Sequence, residues 1–462
     1  TQHVDGSYPG SDSDGSAERP WVTITEAVDA CASGGLVAIA AGSYIEDVVV
    51  AYKAVTLWGV CPEQVEVAGT SNGDAAIVIH EGASGSAVRN LSLTGAADGL
   101  AVTGSVDVTA HQLWVHDTSA WGMVILSAYG PAAVAITDSL VEQSRQLGLL
   151  VDGSQVTIER SVIRATQPAL GSNSDGFGIA AQVGCTSQGC DTSLRSAVTI
   201  RGSVVEQNHA MGVFLAGSDM LIEGSVIRFT QPDLASQMTG RGIAIQPTCD
   251  AQGICDANSR ANLILRSSFV YHNHDVGLFV GGSDALVEST VIGGTLPRAA
   301  GLVTGRGVSA LMACTVEAGC DPNIRSAISL QNSVVEQNHD AGIFVAGSDL
   351  AVHSTIVRDT ITRPDGYFGD GIAILSKLSL STASLSESLV DASARAGVAS
   401  FGSAMSIDKT TIRCAAFALE GEDSDQHSYD FVDLGNNRCG CPDANDTCSV
   451  VSSGLAPPDP MP

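Results

Sequence analysis

Three histidines recur in nearly identical surroundings along this chain. His209, His274 and His339 each follow an asparagine, in the segments "VVEQNHAMG", "VYHNHDVG" and "VVEQNHDAG". Imidazole nitrogens can bind a metal ion or move a proton, so a repeated active site is one interpretation. The steps from position 209 to 274 and from 274 to 339 are equal, which favours the other interpretation, a repeated scaffold.

Oxygen-bearing side chains alternate on two cysteine loops. Asp256 and Asn258 lie on one loop, and Asp321 and Asn323 lie on the other. Calcium takes roughly six to eight oxygen ligands, and two side chains per loop fall short of that number. Asx turns use the same residue types, so weak calcium sites and simple turns both remain open. Apart from calcium, the sequence indicates no cofactor.

The segment "HQLWVHDTSAWGMVILSAYG" holds the best aromatic cluster, with Trp114, Trp121 and Tyr129. Outward-facing aromatic rings present broad apolar faces to a ligand. The three residues are therefore candidates for binding a glycan by stacking on its sugar rings. Burial of Trp114 within a strand is the alternative for that residue.

The chain has 12 cysteines and no C-x-x-C motif, which favours disulfides in an oxidising compartment over zinc. The expected local pairs are Cys185–Cys190, Cys249–Cys255 and Cys314–Cys320. The cysteines expected to staple a C-terminal cap, in a pairing that the sequence leaves open, are Cys414, Cys439, Cys441 and Cys448. This assignment leaves Cys31 and Cys61 for each other.

Repeats must position all of these residues. Each unit of 65 residues contains a second, weaker copy, such as "SVIRFTQ" after "SVVEQNH", so the underlying repeat is about 22 residues, a length typical of solenoids. Within it, short apolar alternations such as "GIFVAG" are separated by Gly, Ser, Asp and Asn. These patterns predict short parallel strands stacked turn on turn.

Stacking the repeats aligns polar residues in columns. The first column reads Thr166, Asn208, Thr230, Asn273, Thr295, Asn338, Thr360 and Ser393. The position two before it reads Glu142, Arg164, Glu206, Arg228, Tyr271, Gly293, Glu336 and Arg358. Neighbouring turns are about 4.8 Å apart, so Glu and Arg should pair and Asn and Thr should bond turn backbone. Histidines two turns apart cannot share a metal ion, which favours a scaffold role.

The two ends differ from the repeats. In "ERPWVTITEAVDACASGG", apolar residues at near-helical spacing after Thr23 predict a short helix that covers the end of the core. We expect residues 1–35 to form an N-terminal segment with this capping helix, 36–413 a parallel β-helix with loop insertions, and 414–462 a Cys-rich cap with a Pro-rich tail.

Composition limits the partners. With 50 acidic and 22 basic residues the formal charge is −28, so a nucleic-acid backbone would be repelled. No apolar run is long enough to predict a membrane span. The N-terminus shows no export signal, which implies that any such signal was removed or lies outside this sequence.

The opening run "DGSYPGSDSDGSAERPWVTITEAVDACASGGLVAIAAGSYIEDVVV", the G-x-C-P at Gly59–Pro62 and the turn from Asn338 to Val345 carry a resemblance. They resemble bacterial right-handed parallel β-helix proteins of the pectin-lyase-like superfamily, over about residues 1–420. The resemblance implies an all-β fold, a right-handed parallel β-helix with an N-terminal capping helix and a disulfide-stapled C-terminal cap. It leaves function open, because the superfamily includes lyases, hydrolases, esterases, epimerases, tailspikes and surface proteins.

Polysaccharide-cleaving members of that superfamily use clustered carboxylates, or calcium with an Arg or Lys base. Asn173–Gly176 resembles the start of a polygalacturonase signature, but the chain has no Asp-Asp pair, Gly-His-Gly or Arg-Ile-Lys. If the chain is an enzyme, the candidate catalytic residues, all near the loops that precede Gly-x-Gly, are Asp175, Arg241, Arg306 and Asp370.

Because the columns are uniform and no distinct acid cluster is visible, the sequence favours a non-enzymatic, exported β-helix protein, structural or adhesive, that could assemble into fibres or a surface layer. The alternatives are a polysaccharide lyase or glycoside hydrolase acting on acidic polysaccharide, and a passive glycan-binding adhesin. Enzyme status stays open. The expected partners are further copies of the chain or surface glycans, and the expected location is secreted, extracellular or on the cell surface.

Overall fold

The computed structural model describes residues 1–186 and 189–460, in two compact units, Thr1–His209 and Ala210–Pro462. Each unit is built from short parallel strands in which every turn of the chain pairs with the next. Two strands per turn form a broad sheet, and one strand per turn forms a narrow sheet. This confirms the predicted right-handed parallel β-helix.

In the first unit, short strands alternate with tight turns. The broad sheet contains Gln2–Val4, Gly35–Ile39, Gly42–Ile45, Val55–Gly59, Val65–Gly69, Ala87–Gly95, Val108–Thr118, Ala133–Thr137, Leu140–Glu142, Gln155–Glu159, Val162–Arg164, Ala197–Arg201 and Val204–Glu206. The narrow sheet contains Val48–Val50, Ala75–Ile79, Asp98–Thr103, Met123–Leu126, Leu147–Asp152 and Phe177–Gln182. The strands Gly184–Thr186 and Gly189–Asp191 form a hairpin.

The second unit repeats this plan. Its broad sheet contains Asp219–Glu223, Val226–Arg228, Asn262–Arg266, Phe269–Tyr271, Asp284–Glu288, Val291–Gly293, Ala327–Gln331, Val334–Glu336, Asp349–His353, Ile356–Arg358, Thr382–Ser386, Leu389–Asp391, Ala404–Asp408, Thr411–Arg413, Asp430–Gly435 and Arg438–Cys439. Its narrow sheet contains Met211–Ala216, Arg241–Gln246, Val276–Gly281, Arg306–Leu311, Ala341–Ala346, Asp370–Leu375, Ala396–Phe401, Phe417–Glu422 and Val450–Val451. The strands Ala313–Thr315 and Gly319–Asp321 form a hairpin.

The predicted N-terminal helix forms over Ile24–Ala30, and Thr23 caps it by accepting a hydrogen bond from the backbone N–H of Glu26. Ile24, Ala27 and Val28 are its buried face. Their spacing places them on one side of the helix, as the sequence indicates. No helix among the described residues is long and apolar enough to cross a bilayer.

Successive turns pair in the same register, so residues of the same type stack on one another in columns. In the narrow sheet of the second unit, for example, Ile343 pairs with Ile372, and Ile372 pairs with Val398. All three are fully buried. Because successive side chains of a strand point to opposite faces, the residues between them lie on the other face of the narrow sheet.

The polar columns behave as predicted. Asn338 is fully buried, accepts a hydrogen bond from the N–H of Thr295 at 3.1 Å and donates to the carbonyl oxygen of Ile292 at 3.5 Å. Arg358 pairs with Glu336 at 2.6 Å in the exposed column. Buried amides thus satisfy turn backbone, while exposed ion pairs link adjacent turns.

The three local disulfides form as expected, and the cap cysteines pair as Cys414–Cys441 and Cys439–Cys448. The expected Cys31–Cys61 bond is wrong, because both residues are free thiols. Cys31 ends the helix with its sulfur against Gly35, where a Cβ would lie 2.5 Å away. Cys61 instead accepts backbone hydrogen bonds in the turn after Val55–Gly59.

Candidate functional site

Glycine turns fix the first residue of several narrow-sheet strands in the second unit. Gly240, Gly305 and Gly369 have φ angles of +105°, +100° and +105°. A Cβ on Gly305 would lie 2.7 Å from the Cβ of His339, so only glycine fits at this close approach. The residues that follow these glycines are Arg241, Arg306 and Asp370, and each begins a strand.

Arg306 forms a buried ion pair with Asp340. Its Nε donates to Oδ2 of Asp340 at 2.5 Å, and its guanidinium lies 3.9 Å from the ring centre of Phe344. Arg306 is 1% exposed and Asp340 is not exposed at all. A buried pair of this kind holds its charges only because each compensates the other.

Asp370 lies on the turn next to Asp340. Its backbone N–H donates to the carbonyl oxygen of Asp340 at 3.1 Å. Its carboxylate accepts hydrogen bonds from Nε of Arg395 at 2.8 Å and from the N–H of Ala396 at 3.2 Å. Burial is the largest cause that raises the pKa of Asp370 above its ordinary value; Arg395 opposes this, and the nearby charge of Asp340 adds to it. The two carboxyl groups therefore differ in their surroundings although they are neighbours.

Two more residues complete the cluster. Nη1 of Arg363 lies 3.9 Å from Oδ1 of Asp340, and its Nη2 bonds Asp365 at 2.7 Å. The ring of Phe368 lies 4.5 Å from Arg363 and 4.8 Å from Arg395. We call this largely buried cluster, made by Arg306, Asp340, Arg363, Asp370 and Arg395, the Arg–Asp groove.

Two polar atoms of the Arg–Asp groove lack hydrogen-bond partners among the described residues. They are Nη1 of Arg306 and Oδ1 of Asp340, both buried. A buried polar atom without a partner costs free energy, and such atoms are also where a ligand can make hydrogen bonds. The C-terminal residues lie over the groove, because Arg395 donates to the carbonyl oxygen of Ala456 and Arg306 to that of Asp459.

A related ion pair lies earlier in the second unit. Arg241 pairs with Asp275 at 2.9 Å and lies 4.0 Å from the ring centre of Phe279. Burial alone would raise the pKa of Asp275, but Arg241 and Arg298 hold it below its ordinary value. Asp275 thus stays ionised within its cluster, whereas Asp370 is pushed toward its protonated form.

The structure brings together only part of the predicted catalytic set. Arg306 and Asp370 both lie in the Arg–Asp groove, and Arg241 pairs with Asp275 instead. Asp175 lies in the first unit, before the positive-φ Gly176, so its place in the turn matches that of Thr304 rather than that of Arg306. Asp175 therefore lies two positions before the place in the turn that Arg306 occupies, although the surrounding Gly-x-Gly sequences look alike.

Sequence reasoning missed Asp340, Arg363 and Arg395. The signal for Asp340 was its place after His339, one unit beyond the matching Asp275 after His274. Arg306 and Asp340 are 34 residues apart and lie on adjacent turns. Because the two partners of each ion pair lie on adjacent turns, a single repeat of the sequence contains only one of them.

The three aromatic candidates make separate contacts in the first unit. Trp114 stacks on His116 at 3.9 Å and donates to Glu142 at 2.9 Å. Trp121 donates to Oε1 of Gln146 at 3.0 Å. Tyr129 is 65% exposed. Of the three, Tyr129 offers the most accessible ring, and its neighbour is the imidazole of His80, with ring centres 5.8 Å apart.

The recurring histidines make hydrogen bonds to the backbone of other turns. Nδ1 of His274 donates to the carbonyl oxygen of Thr230 at 2.9 Å, and Nδ1 of His339 donates to that of Thr295 at 3.0 Å. His209 makes the matching bond to Thr166 at 3.0 Å. These contacts stabilise successive turns, in keeping with the scaffold interpretation.

The candidate calcium ligands form Asx turns. Oδ1 of Asp256 accepts from the N–H of Asn258 at 2.8 Å, and Oδ1 of Asp321 accepts from that of Asn323 at 2.8 Å. Among the described residues, no group of three or more His, Cys, Asp or Glu side chains is arranged to hold a metal ion. The turn contacts account for the conformation of both loops.

Several solved structures are similar to this chain. Pectate lyase Pel9A shows 14% identity and a TM-score of 0.43, over 72% of this chain and 76% of the lyase. The A-module of mannuronan C-5 epimerase AlgE6 from Azotobacter vinelandii shows 14% identity and a TM-score of 0.47, over 91% of this chain and 94% of the module. The catalytic domain of a GH87 α-1,3-glucanase shows 10% identity and a TM-score of 0.39, over 87% of this chain and 64% of the glucanase. At these identities the likeness is one of fold.

The proteins named in these structures are enzymes that act on polysaccharides. The sequence had favoured a non-enzymatic structural or adhesive protein, and the comparisons correct that expectation. Uniform columns concealed the acid cluster, because Asp340 and Asp370 occupy different places in their repeats. No curated protein sequence matches this chain.

The family model described as "Right handed beta helix region" matches residues 70–413. This span includes Arg306 and Asp370, which begin strands, and Asp340 and Arg395, each of which directly precedes a strand. The chain belongs to the right-handed β-helix family.

Proposed function

We propose that this chain is a polysaccharide-cleaving enzyme whose active site is the Arg–Asp groove. The observation that carries the proposal is the pair of buried aspartates on adjacent turns, Asp340 and Asp370, of which Asp370 has a raised pKa. Glycoside hydrolysis uses two carboxyl groups, one protonated and one ionised. A raised pKa in one of two neighbours separates these roles.

In this proposal Asp370 is the general acid. Its raised pKa keeps a proton available to the glycosidic oxygen as the bond to the leaving sugar breaks. Asp340 takes the second carboxyl role, and it either attacks the anomeric carbon or removes a proton from the attacking water. Its Oδ1, which lacks a hydrogen-bond partner among the described residues, is the atom available for that step.

The arginines take binding roles. Arg306 pairs with Asp340 through its Nε, and its Nη1 lacks a partner among the described residues. A guanidinium N–H donates well to hydroxyl or carboxylate oxygens of a sugar. This favours a substrate with acidic sugars, although a neutral glycan offers acceptors as well.

A lyase is the second candidate, and Arg306 is the observation that favours it. A lyase removes the proton next to a uronate carboxylate, and a guanidinium paired with that carboxylate makes the proton more acidic. The two reactions differ in product, because a lyase leaves an unsaturated sugar end and a hydrolase does not.

The five disulfides suit an oxidising compartment. We therefore place the enzyme outside the cytoplasm, secreted or at the cell surface, with a glycan as its partner. This location also brings the enzyme to extracellular polysaccharide.

The test is cleavage of pectate, alginate and α-1,3-glucan by the native chain and by a Leu455→Asp/Pro458→Asp variant. The two new carboxylates would be buried at apolar positions if the C-terminal residues stayed packed, so the packed position is disfavoured. New reducing ends without ultraviolet absorbance indicate a hydrolase, and absorbance from unsaturated uronate indicates a lyase. Asp370→Asn and Asp340→Asn should each lower the rate by at least about 100-fold. Asp275→Asn is the matched control, since it removes a buried paired carboxylate outside the groove.

Unchanged cleavage in Asp370→Asn would contradict the assignment of the acid. Absence of cleavage by both proteins across the three polysaccharides would contradict the proposed function.

A further inference from the structure

The C-terminal residues are anchored just before they reach the Arg–Asp groove. The N–H and Oγ of Ser453 donate to Oε1 of Glu420 at 2.8 Å and 2.7 Å. Ser452 donates to Glu422 at 3.0 Å. Glu420 and Glu422 belong to the narrow strand Phe417–Glu422, which pairs with Val450–Val451. The chain is thus held in place from Val450 to Ser453.

The next residues, Leu455–Pro460, which we call the tail segment, pack on an apolar surface. Leu455 lies against a cluster that covers the outer face of the narrow sheet. The cluster contains Val276, Leu311, Ala341, Phe344, Ala346, Ala373, Leu375, Ala396, Ala399 and Phe401. Pro458 is buried as well. The tail segment therefore removes apolar surface from water.

Two arginines of the groove bind the backbone of the tail segment. Nη1 of Arg395 donates to the carbonyl oxygen of Ala456 at 2.9 Å, and Nη2 of Arg306 donates to that of Asp459 at 2.5 Å. The sequence "LAPPDP" contains three prolines, which favour an extended chain with free carbonyl oxygens. Apolar contacts with side chains and arginine contacts with backbone are the means by which grooves recognise such segments.

The end of the tail segment borders a cleft. Pro460 lines a space of about 260 Å³ together with Leu311, Met312, Ala346 and Leu378. The segment is therefore held at its start by Leu455 and along its length by Arg395 and Arg306, and Pro460 forms part of the wall of this cleft.

We propose that the tail segment is a self-supplied occupant of the Arg–Asp groove, which a polysaccharide must displace. This inference rests on the proposed function for the identity of the competing ligand. Because the tail segment is covalently attached, its effective concentration at the groove is high without strong individual contacts. Arg306, at 1% exposure, becomes accessible only when the tail segment leaves.

The experiment measures the accessibility of Arg306 separately from catalysis. The full-length native chain and the Leu455→Asp/Pro458→Asp variant are treated with a dicarbonyl reagent specific for arginine, and modified residues are mapped by mass spectrometry. We expect at least a tenfold faster modification of Arg306 in the variant. Arg298, 8% exposed and paired with Asp275, serves as the internal control and should stay protected if the fold is intact.

Ala456→Asp is the matched substitution. It adds a carboxylate to the same segment at an exposed side chain, beside Arg395, so the tail segment should stay in place and Arg306 should stay protected. If Arg306 reacts equally fast in the native chain and in the double variant while Arg298 stays protected, the inference is wrong. If Arg298 reacts as well, the comparison is repeated with Leu455→Ser, a milder change that must expose Arg306 alone.

The same proteins separate this inference from the proposed function. Faster modification of Arg306 together with faster polysaccharide cleavage supports both. Faster modification with no cleavage of any polysaccharide supports the tail segment as an occupant of the groove and contradicts the proposed function. Equal protection of Arg306 with active cleavage by the native chain contradicts the inference and leaves the proposed function standing.

Discussion

The backbone N–H of Asp370 donates to the carbonyl oxygen of Asp340 at 3.1 Å, which places two buried carboxyl groups on adjacent turns of the β-helix. In the proposed function, the burial that raises the pKa of Asp370 makes it the proton donor of the pair. We expect cleavage to fall as the pH rises through this raised pKa, because the acid loses its proton. A pH–rate profile measures this effect, and a profile that stays flat in Asp370→Glu and in the native chain would contradict it.

The ion pair between Arg306 and Asp340 predicts a large loss of stability when one partner is removed. Arg306→Met leaves the buried carboxylate of Asp340 with only the more distant Arg363 and should lower the free energy of unfolding by about 3–5 kcal/mol. Arg358→Met breaks an exposed pair with Glu336 and should cost at most about 1 kcal/mol. Urea denaturation of the two variants provides the comparison. If both variants lost the same free energy of unfolding, burial would not determine how much an ion pair contributes to stability.

The sequence predicts the fold well because its pattern is repeated many times. Alternating apolar residues and the Asn column recur in each unit, so that Asn338 and Asn273 could be placed in turns from spacing alone. The groove is different, because Asp340 and Asp370 lie at different positions of their repeats. Their adjacency depends on the stacking of consecutive turns and on the exact length of the loop between them, which an alignment of repeats does not fix.

At both ends of the chain, too, the sequence predicts local structure but not the contacts between distant residues. Regular spacing predicted the helix Ile24–Ala30 but could not predict that Cys31 turns toward Gly35 and leaves Cys61 unpaired. The sequence identifies a Pro-rich tail, yet nothing in its composition indicates that Arg306 and Arg395 bind it. Contacts between residues far apart in the chain depend on tertiary packing.

The buried Asn column predicts a second difference in stability. Asn338→Ala removes the acceptor for the N–H of Thr295 and the donor to the carbonyl oxygen of Ile292. Both backbone groups stay buried and lose this hydrogen bond. We expect a loss of about 2–3 kcal/mol, since each unsatisfied buried group costs about 1–3 kcal/mol. Asn323→Ala, at an exposed turn, is the control and should cost less than about 1 kcal/mol. Thermal unfolding of both variants measures the difference, and similar midpoints would contradict a structural role for the column.

The exposed rings in the first unit predict a contribution to glycan binding. Tyr52 and Tyr129 flank His80, with ring centres 6.0 Å and 5.8 Å from it, and both tyrosines are largely exposed. Tyr129→Ala should weaken the binding of a soluble polysaccharide several-fold, because a ring available for stacking is lost. Trp114→Phe is the control, since Trp114 already stacks on His116. Affinity electrophoresis with immobilised polysaccharide measures both, and a larger effect for Trp114→Phe would reverse the assignment.

Asp98 predicts a pH dependence of stability in the first unit. Burial is the largest cause that raises its pKa to about 6, although a hydrogen bond from the N–H of Trp121 lowers it and the charge of Asp74 raises it further. Between the ordinary value of 3.8 and about pH 6, the folded chain binds more protons than the unfolded chain. Stability therefore falls as the pH rises through this window.

Asp98→Asn keeps an oxygen for the N–H of Trp121 but cannot ionise. At pH 7 the variant should be more stable than the native chain by about 1–2 kcal/mol, a value reduced for solvent screening, and near pH 4 the two should be equally stable. Asp74→Asn, which removes only the smaller contribution of a neighbouring charge, should give a smaller gain at pH 7. Urea denaturation at the two pH values measures both gains. A variant that gains as much at pH 4 as at pH 7 would show that ionisation of Asp98 is not the cause.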